Sequence, residues 1–535
     1  MLFSITSPKG VFLLALSSSN FISAEPLDLI KQHGTIHVDS IPDDASEPIS
    51  ESFVSFSIEF SSFPDFAGNL SNPNVFSNNL LDGLASYQGT KPYIRAGGNT
   101  QDFAIFDPNL KTSYVGIVDP KVPDYPTTLT IGPSYFESYL TLSGTKFVHG
   151  FDLGRNGSEA RAALLESVPY ACKALSNDNL LSWQLGNEPD LFERARVRPT
   201  NWTESDYVQE WSTLLKSISS IIATSCPSLP NFQKAWYAPS FAGITSNNLT
   251  SPAVFQAGLN RANVLSFIDF HNYIDGANQP GVTLAGTLMN HTRTAYSVGL
   301  HLANKAALAP YAGDLKYILG ETNSLYNQGR PGLSNTFGAA LWGVDFNLYC
   351  AANNISRVHM HQGTNYRYAS WQPVTTAIDT VGTRAPYYGN VAVAASLGDL
   401  TVSQVRVKEV PLRSEQEAAY AVYNDEVLKR VTVVNMRQYN YTTNETVTPR
   451  PVDRYVFSLP RECEGKAIVQ RLLANGSDAT TGVTFNGLSY NYELDLGRPV
   501  VQTNVTRDEE VDVGRDGRLC VEVPWSSAAV VQLHC

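Results

Sequence analysis

Eight short apolar runs, separated by longer stretches, constrain this chain more than any other feature. They are FVSFSIE (53–59), PYIRAG (92–97), KFVHGFD (146–152), LSWQLGN (181–187), KAWYAPS (234–240), LSFIDFH (265–271), KYILGE (316–321) and ISRVHMH (355–361). Each is rich in β-branched and aromatic residues and bounded by turn formers. Strands buried on both faces of a parallel sheet read this way. Between them lie helical patterns, the clearest being ESDYVQEWSTLLKSISSIIAT, with Thr203 placed to cap its start. Eight such units predict an α/β fold, a (β/α)8 TIM barrel, over residues 53–397. A doubly wound open sheet is the alternative, but the glycine-rich phosphate fingerprint is missing after the first strand.

From residue 398 the texture changes to short alternating runs such as TVSQVRVKEV, AAYAVYND and AAVVQLHC, with turns rather than helices between them. This predicts an appended antiparallel β-sandwich over 398–535. Residues 25–52 are read as an N-terminal segment that joins the sandwich through TIHVDS (35–40).

The first 24 residues carry Lys9, the apolar run Val11 to Leu16 and then small residues up to Ala24. That pattern predicts a cleaved secretory signal peptide and an extracellular protein. Ten Asn-x-Ser/Thr sequons agree with a secreted glycoprotein: Asn69, Asn156, Asn201, Asn248, Asn290, Asn354, Asn440, Asn444, Asn475 and Asn504. Six cysteines, an even number, fit an oxidising compartment. No Cys-x-x-Cys pair occurs, so a zinc cluster is not indicated. Spacing does not determine disulfide pairing; Cys172 with Cys226 and Cys463 with Cys535 are the pairs adopted, and Cys350 is read as a free buried thiol. A net charge of −12 argues against nucleic acid or an anionic membrane as partner. A monomer is expected.

Barrels of this type carry their active sites at the C-terminal strand ends. Those ends supply Glu59; Arg95 and Asn99; Asn187 and Glu188; His271 and Tyr273; Glu321 and Tyr326; and His359, His361, Gly363 and Tyr366. Glu188 ends the fourth strand and Glu321 the seventh. Two carboxylates facing one bond are what glycoside hydrolysis needs, one donating a proton to the leaving oxygen and the other attacking or activating water. Each residue also has a plainer reading. Glu188 fits a helix-start carboxylate, although Asp190 after Pro189 fits that role better. The histidines fit satisfied structural residues or sugar contacts better than metal ligands, and no metal site is assigned. Arg95 fits an ordinary buried ion pair, and any single tyrosine fits packing. No Gly-x-Ser-x-Gly elbow supports a serine hydrolase.

The segments YIRAGGNTQDF, WQLGNEPD, DFHNYIDG, GETNSLY and HQGTNYRY resemble glycoside hydrolase family 79, the β-glucuronidases and heparanases. The likeness spans nearly the whole mature chain. It implies a retaining glycosidase with no cofactor, Glu188 as acid/base and Glu321 as nucleophile. It further implies Asn187 on the sugar 2-hydroxyl, Tyr273 orienting Glu321 with His271 nearby, and Arg95 keeping Glu321 ionised. Glu59 and Asn99 match positions that meet sugar hydroxyls. Tyr326, Gly363 and Tyr366 match a reader of the uronate carboxylate, with Tyr368 as the alternative to Tyr366. Asn327 and Gln328 depart from the glycines of heparanase-like sequences. The resulting expectation is exo removal of terminal β-D-glucuronate, 4-O-methylated forms included, from oligosaccharides or proteoglycan glycans. The alternatives are a heparanase-like endo-β-glucuronidase and an inactive sugar-binding barrel.

Overall fold

The computed structural model describes residues 30–40, 43–230, 232–244, 248–444 and 449–535. The expected signal peptide lies outside the described residues. Eight parallel strands close into a barrel: β1 (Val54–Glu59), β2 (Ile94–Gly97), β3 (Phe147–Phe151), β4 (Leu180–Leu185), β5 (Trp236–Phe241), β6 (Leu265–Gly276), β7 (Lys316–Tyr326) and β8 (Val358–Gln362). They neighbour one another in chain order, and β8 closes onto β1 with Gln362 beside Ile58. The (β/α)8 reading holds.

The helix over Glu204–Ser225 shows how local chemistry sets an element. Thr203 Oγ1 accepts the backbone N–H of Asp206 at 3.3 Å, and the Asp206 carboxylate accepts the N–H of Thr203 at 2.9 Å. This reciprocal capping box satisfies N–H groups that the helix itself leaves free. Its apolar stripe, including Trp211, Leu215, Ile218 and Ile222, is buried against the barrel. A disulfide joins Cys226, at its end, to Cys172 in the preceding helix.

The second barrel unit departs from the pattern. Where a helix would follow β2, the chain makes an excursion with three short strands at Ala104–Phe106, Tyr114–Ile117 and Thr128–Ile131. A 3-10 helix, Pro133–Leu140, stands in the helix position. Pro120, Pro123 and Pro126 deny this stretch the N–H donors that an α-helix needs.

The C-terminal region forms one sheet path folded over a core of its own, including Tyr455, Phe457, Val469 and Val531. The disulfide Cys463–Cys535 ties its end down, while Cys350 is a free buried thiol and Cys520 is free and exposed. The N-terminal strand Ile30–His37 does join it, but in parallel, with Ile36 beside Phe457, so the sandwich is antiparallel except at that edge. The opposite face packs on the barrel. The helix Phe337–Ala352 is apolar all round because it is sandwiched, with the strands Val405–Glu409 and Val427–Asn435 on its outer side. Next to it His291 links the two layers, bonding Asp345 at 2.9 Å and Glu409 at 3.1 Å. Burial works against a charge there, but these two carboxylates outweigh it and raise the His291 pKa to about 10.

Among the described residues, no helix is long and apolar enough to cross a membrane.

Candidate active site

The segment Gly186-Asn187-Glu188-Pro189 leaves β4 in an unusual conformation. Gly186 has φ +85° and Glu188 has φ +52° and ψ 50°, the left-handed region. A non-glycine residue there costs roughly 1–3 kcal/mol and persists only where its surroundings enforce it. The enforcement is visible. Glu188 N–H donates to Ser240 O at 2.9 Å, and Asn187 N–H donates to Asp102 Oδ2 at 2.7 Å. The other Asp102 oxygen accepts from Leu153 and Gly154. Asp190 accepts the N–H of Ala242 at 2.9 Å. The turn turns the Glu188 carboxylate into the barrel mouth, where Oε1 meets His271 Nδ1 at 2.9 Å.

Across the mouth, Glu321 lies within β7, in register with His271 on β6. Both its oxygens are occupied. Oε2 accepts from Arg95 Nη1 at 2.6 Å and Oε1 from the Tyr273 hydroxyl at 2.8 Å. Arg95 is fully buried and uses its whole fork: Nε donates to Gln184 at 2.7 Å, Nη1 also to Ser57 at 3.0 Å, and Nη2 to Asn187 Oδ1 at 2.7 Å. One guanidinium therefore fixes Glu321 and Asn187 relative to each other, a task for a planar donor fork that a lysine could not perform. Asn187 Nδ2 donates in turn to Asn99 Oδ1 at 3.3 Å. Beneath the site, Asp269 accepts from Ser240 Oγ at 2.6 Å and Gly320 N–H at 2.8 Å, tying β5 and β7 together.

Electrostatics separate the two glutamates. Burial, then the negative charge of Glu321, raises the Glu188 pKa to about 8. Burial acts the same way on Glu321, but His361, His271, Arg95 and the Tyr273 hydroxyl outweigh it and hold its carboxyl well below the usual range. Burial lowers His271 to about 4, leaving it neutral at pH 7, while the Arg95 guanidinium, bonded to Glu321 at 2.6 Å, is a permanent positive charge beside it. Burial and the charge of Glu321 push the Tyr273 phenol well above its ordinary value, which keeps it a donor. At neutral pH the site thus holds one protonated and one ionised carboxyl. Two titratable groups pushed apart by their surroundings are the mark of an acid and a nucleophile or base. One ligating atom each from Glu188, His271 and Glu321 lie within 4.8 Å of one another, a donor set able to hold a cation. The oxygens of Glu321 are already neutralised by Arg95 and Tyr273, which suits proton transfer better.

The other expected residues divide. Glu59 is buried; Oε1 accepts from Thr100 N–H and hydroxyl at 2.9 and 2.6 Å, and Oε2 accepts the Tyr366 hydroxyl at 2.9 Å. Both groups lie at the mouth, but each is bonded to the other rather than offered to a ligand. Gly363 backs the Tyr366 ring so closely that a Cβ there would lie 2.8 Å from it. Tyr368 packs beside Tyr273, with ring centroids 6.1 Å apart. His361 Nδ1 is 2.8 Å from Ser57 Oγ and 3.7 Å from Glu321. His359 is buried deeper, beside the Phe56 carbonyl. Tyr326 stands apart: it is 39% exposed, and its hydroxyl accepts from Gln279 at 2.9 Å. The cause is that β6 and β7 continue past the mouth as a ribbon, and five residues of strand carry a side chain roughly 16 Å onward. There its ring covers Gly276, where a Cβ would approach it to 2.4 Å.

Of the sequon asparagines, Asn156, Asn201, Asn248, Asn475 and Asn504 are exposed, and Asn69, Asn354 and Asn440 are half-buried. Asn290 is buried and caps the helix His291–Ala312 by accepting the N–H of Arg293. The side chain of Asn444 lies outside the described residues.

Sequence reasoning missed Tyr125. It comes from the excursion after β2, bonds Asn99 and packs on the Tyr366–Tyr368 cluster. Its neighbour Asp124 pairs with Arg367, Nη2 to Oδ2 at 2.8 Å, and so ties the excursion to the loop after β8. No local motif announces a contact between residues 243 positions apart.

The chain is 51% identical to a β-glucuronidase of Aspergillus niger, over 98% of this chain and 99% of that one. It is 48% identical to a β-glucuronidase of Neurospora crassa, over 91% and 94% respectively. Among solved structures it shares its fold, at a TM-score of 0.75 and 24% identity, with a 4-O-α-L-rhamnosyl-β-D-glucuronidase from Fusarium oxysporum, covering 94% of this chain and all of that one. A family 51 α-L-arabinofuranosidase from Bifidobacterium longum follows at 0.60 and 13%. Residues 419–530 match the glycosyl hydrolase family 79 C-terminal beta domain. Near-complete coverage at these identities, on a barrel whose paired glutamates are poised in opposite protonation states, means that this chain belongs to glycosyl hydrolase family 79 and is a glycoside hydrolase.

Proposed function

We propose that the enzyme is a secreted exo-β-glucuronidase acting with retention. The observation that carries the reaction type is the pair Glu188 and Glu321, close together and oppositely poised. Retaining glycosidases hold their carboxyls about 5–5.5 Å apart, inverting ones roughly 6.5–9.5 Å, and the approach within 4.8 Å between ligating atoms favours the former. In the first step Glu321 attacks the anomeric carbon while Glu188 gives its proton to the leaving oxygen. The C–O bond to the aglycone breaks and an α-linked glycosyl ester forms. In the second step Glu188, now a carboxylate, takes a proton from water, whose oxygen displaces Glu321 and restores the β configuration. Asn187, held by Arg95, is the donor for the sugar 2-hydroxyl, a bond that strengthens in the transition state. The reading of the sugar as glucuronate rests on the two curated relatives.

Exo action is supported by the clamp of Asp124 on Arg367. It brings the excursion, with Tyr125, against the loop after β8, so the mouth is walled on that side. A long sulfated substrate would also favour a basic cleft, which a chain of net charge −12 makes less expected. Secretion is supported by the N-terminal pattern and the ten sequons.

The test is hydrolysis of chromogenic β-D-glucuronide, β-D-glucoside and β-D-xyloside, with product sizing on a glucuronate-containing oligosaccharide. The proposal expects strong preference for the glucuronide and release of the monosaccharide. Internal cleavage would support the endo reading, and preference for another glycoside would overturn the sugar. Because Glu188 must be protonated to act first, kcat/KM falls as pH rises through about 8. In Glu188→Gln that alkaline limb disappears from the remaining activity, which a pH–rate profile of both proteins checks.

A further inference from the structure

A large groove among the described residues lies away from Glu188 and Glu321. It has a volume of about 540 Å³, within the range of about 300–1,000 Å³ typical of ligand sites. Its walls come from the β1 loop (Asn69, Pro73, Val75), from Pro373 in the loop after β8, and from Tyr492 and Leu496 of the C-terminal region. Polar groups, among them Asp65, Asn72 and Asn74, share the lining with apolar ones, and three large apolar side chains stand exposed at or beside it: Leu70 is 59%, Val75 47% and Leu496 40% exposed. Exposed apolar groups clustered at a groove mark something that covers them.

Asn69, in the sequon Asn-Leu-Ser, lines this groove. It sits in a small hairpin that pairs Gly68 with Pro73 and Asn69 with Asn72. Its Oδ1 accepts the N–H groups of Ser71 at 3.0 Å and Asn72 at 2.8 Å. The amide is thereby oriented by its oxygen, and Nδ2 donates no hydrogen bond among the described residues. The contrast with Asn290, buried and engaged in a helix cap, is plain.

We propose that Asn69 carries an N-linked glycan whose inner N-acetylglucosamine units occupy this groove. The apolar faces of the sugar rings cover Val75, Tyr492 and Leu496, while their hydroxyl and amide groups meet the polar wall. The glycan then bridges the β1 loop and the C-terminal region. In its attachment the Asn69 nitrogen bonds C1 of the first sugar as the bond from C1 to the diphosphate of a lipid-linked oligosaccharide breaks; the diphosphate leaves and the amide gives up one proton. The inference rests on passage through the secretory pathway.

The experiment uses protein secreted by a eukaryotic host. Peptide mass spectrometry after amidase release in heavy-oxygen water reads occupancy at each sequon. Hydrogen exchange is then compared over 68–76 and 492–496 for wild type, wild type deglycosylated after folding, Asn69→Gln and Asn504→Gln. The expected result is an occupied Asn69 and exchange at least severalfold faster in both segments after deglycosylation and in Asn69→Gln, with Asn504→Gln unchanged. Glycan at other sequons but not at Asn69, or equal exchange over 492–496 with and without it, overturns the inference alone. No glycan at any sequon overturns the secretory reading as well, while glucuronide hydrolysis by the same samples tests the activity separately.

Discussion

Glu321→Gln lowers kcat/KM by on the order of 10⁴–10⁶, the loss seen when a nucleophile that acts as part of a unit is removed. The amide is nearly isosteric, and its carbonyl oxygen can keep the bond from Arg95 while its nitrogen donates to the Tyr273 hydroxyl, which turns to accept, so the fold and the substrate pocket survive. What disappears is the anionic oxygen that the proposed mechanism uses to attack C1. Glu321→Gly with added azide separates this from a general collapse: azide takes the vacated place and yields an α-glycosyl azide. Single-turnover kinetics and product analysis read both effects. A Glu321→Gln enzyme within tenfold of wild type would show that another group attacks.

Arg95→Met produces the second-largest effect through charge. The substitution keeps much of the volume but removes the bonds to Glu321, Asn187, Gln184 and Ser57 together. Glu321 then loses its lasting counter-charge and its pKa rises, so the acidic limb of kcat/KM moves to higher pH. With Asn187, the proposed donor to the sugar 2-hydroxyl, also released, the rate at pH 7 falls by about 10²–10³. Stability responds as well, since breaking a buried pair by removing one partner costs about 3–5 kcal/mol. The sign follows from the depressed pKa of Glu321. The pair stabilises the folded protein above the ordinary carboxylate value of 4.5, and its contribution is lost as pH falls towards the lower folded value. The gap in melting temperature between wild type and Arg95→Met is therefore widest near neutral pH and narrows in acid. A gap that widened in acid would mean that the charge on Glu321 is set by something other than Arg95.

Much of the barrel and its centre was legible in the sequence. A run apolar on both faces that ends in Asn-Glu, or in Gly-Glu, advertises a buried strand with a polar lip, and the barrel topology then brings Glu188, Asn187, Arg95 and Glu321 together. Tyr273 was legible for the same reason, two residues beyond His271 on a strand whose alternate residues face inward. Three things were not. Three prolines disfavour the second helix, but the excursion that replaces it depends on pairing among Ala104–Phe106, Tyr114–Ile117 and Thr128–Ile131. Tyr125 enters the site only because Asp124 meets Arg367. The mutual bond of Glu59 and Tyr366 spans 307 positions. Such long-range pairings have no periodicity to read. Tyr326 shows the reverse limit, since nothing local distinguishes a strand that ends at Glu321 from one that runs five residues further.

The most direct test of the two-glutamate account is the configuration of the first-formed product, followed by proton NMR as a β-D-glucuronide is hydrolysed. The account predicts that the β anomer appears first and the α anomer only later by mutarotation. Initial release of the α anomer would mean a single displacement by water, and would contradict Glu321 as nucleophile.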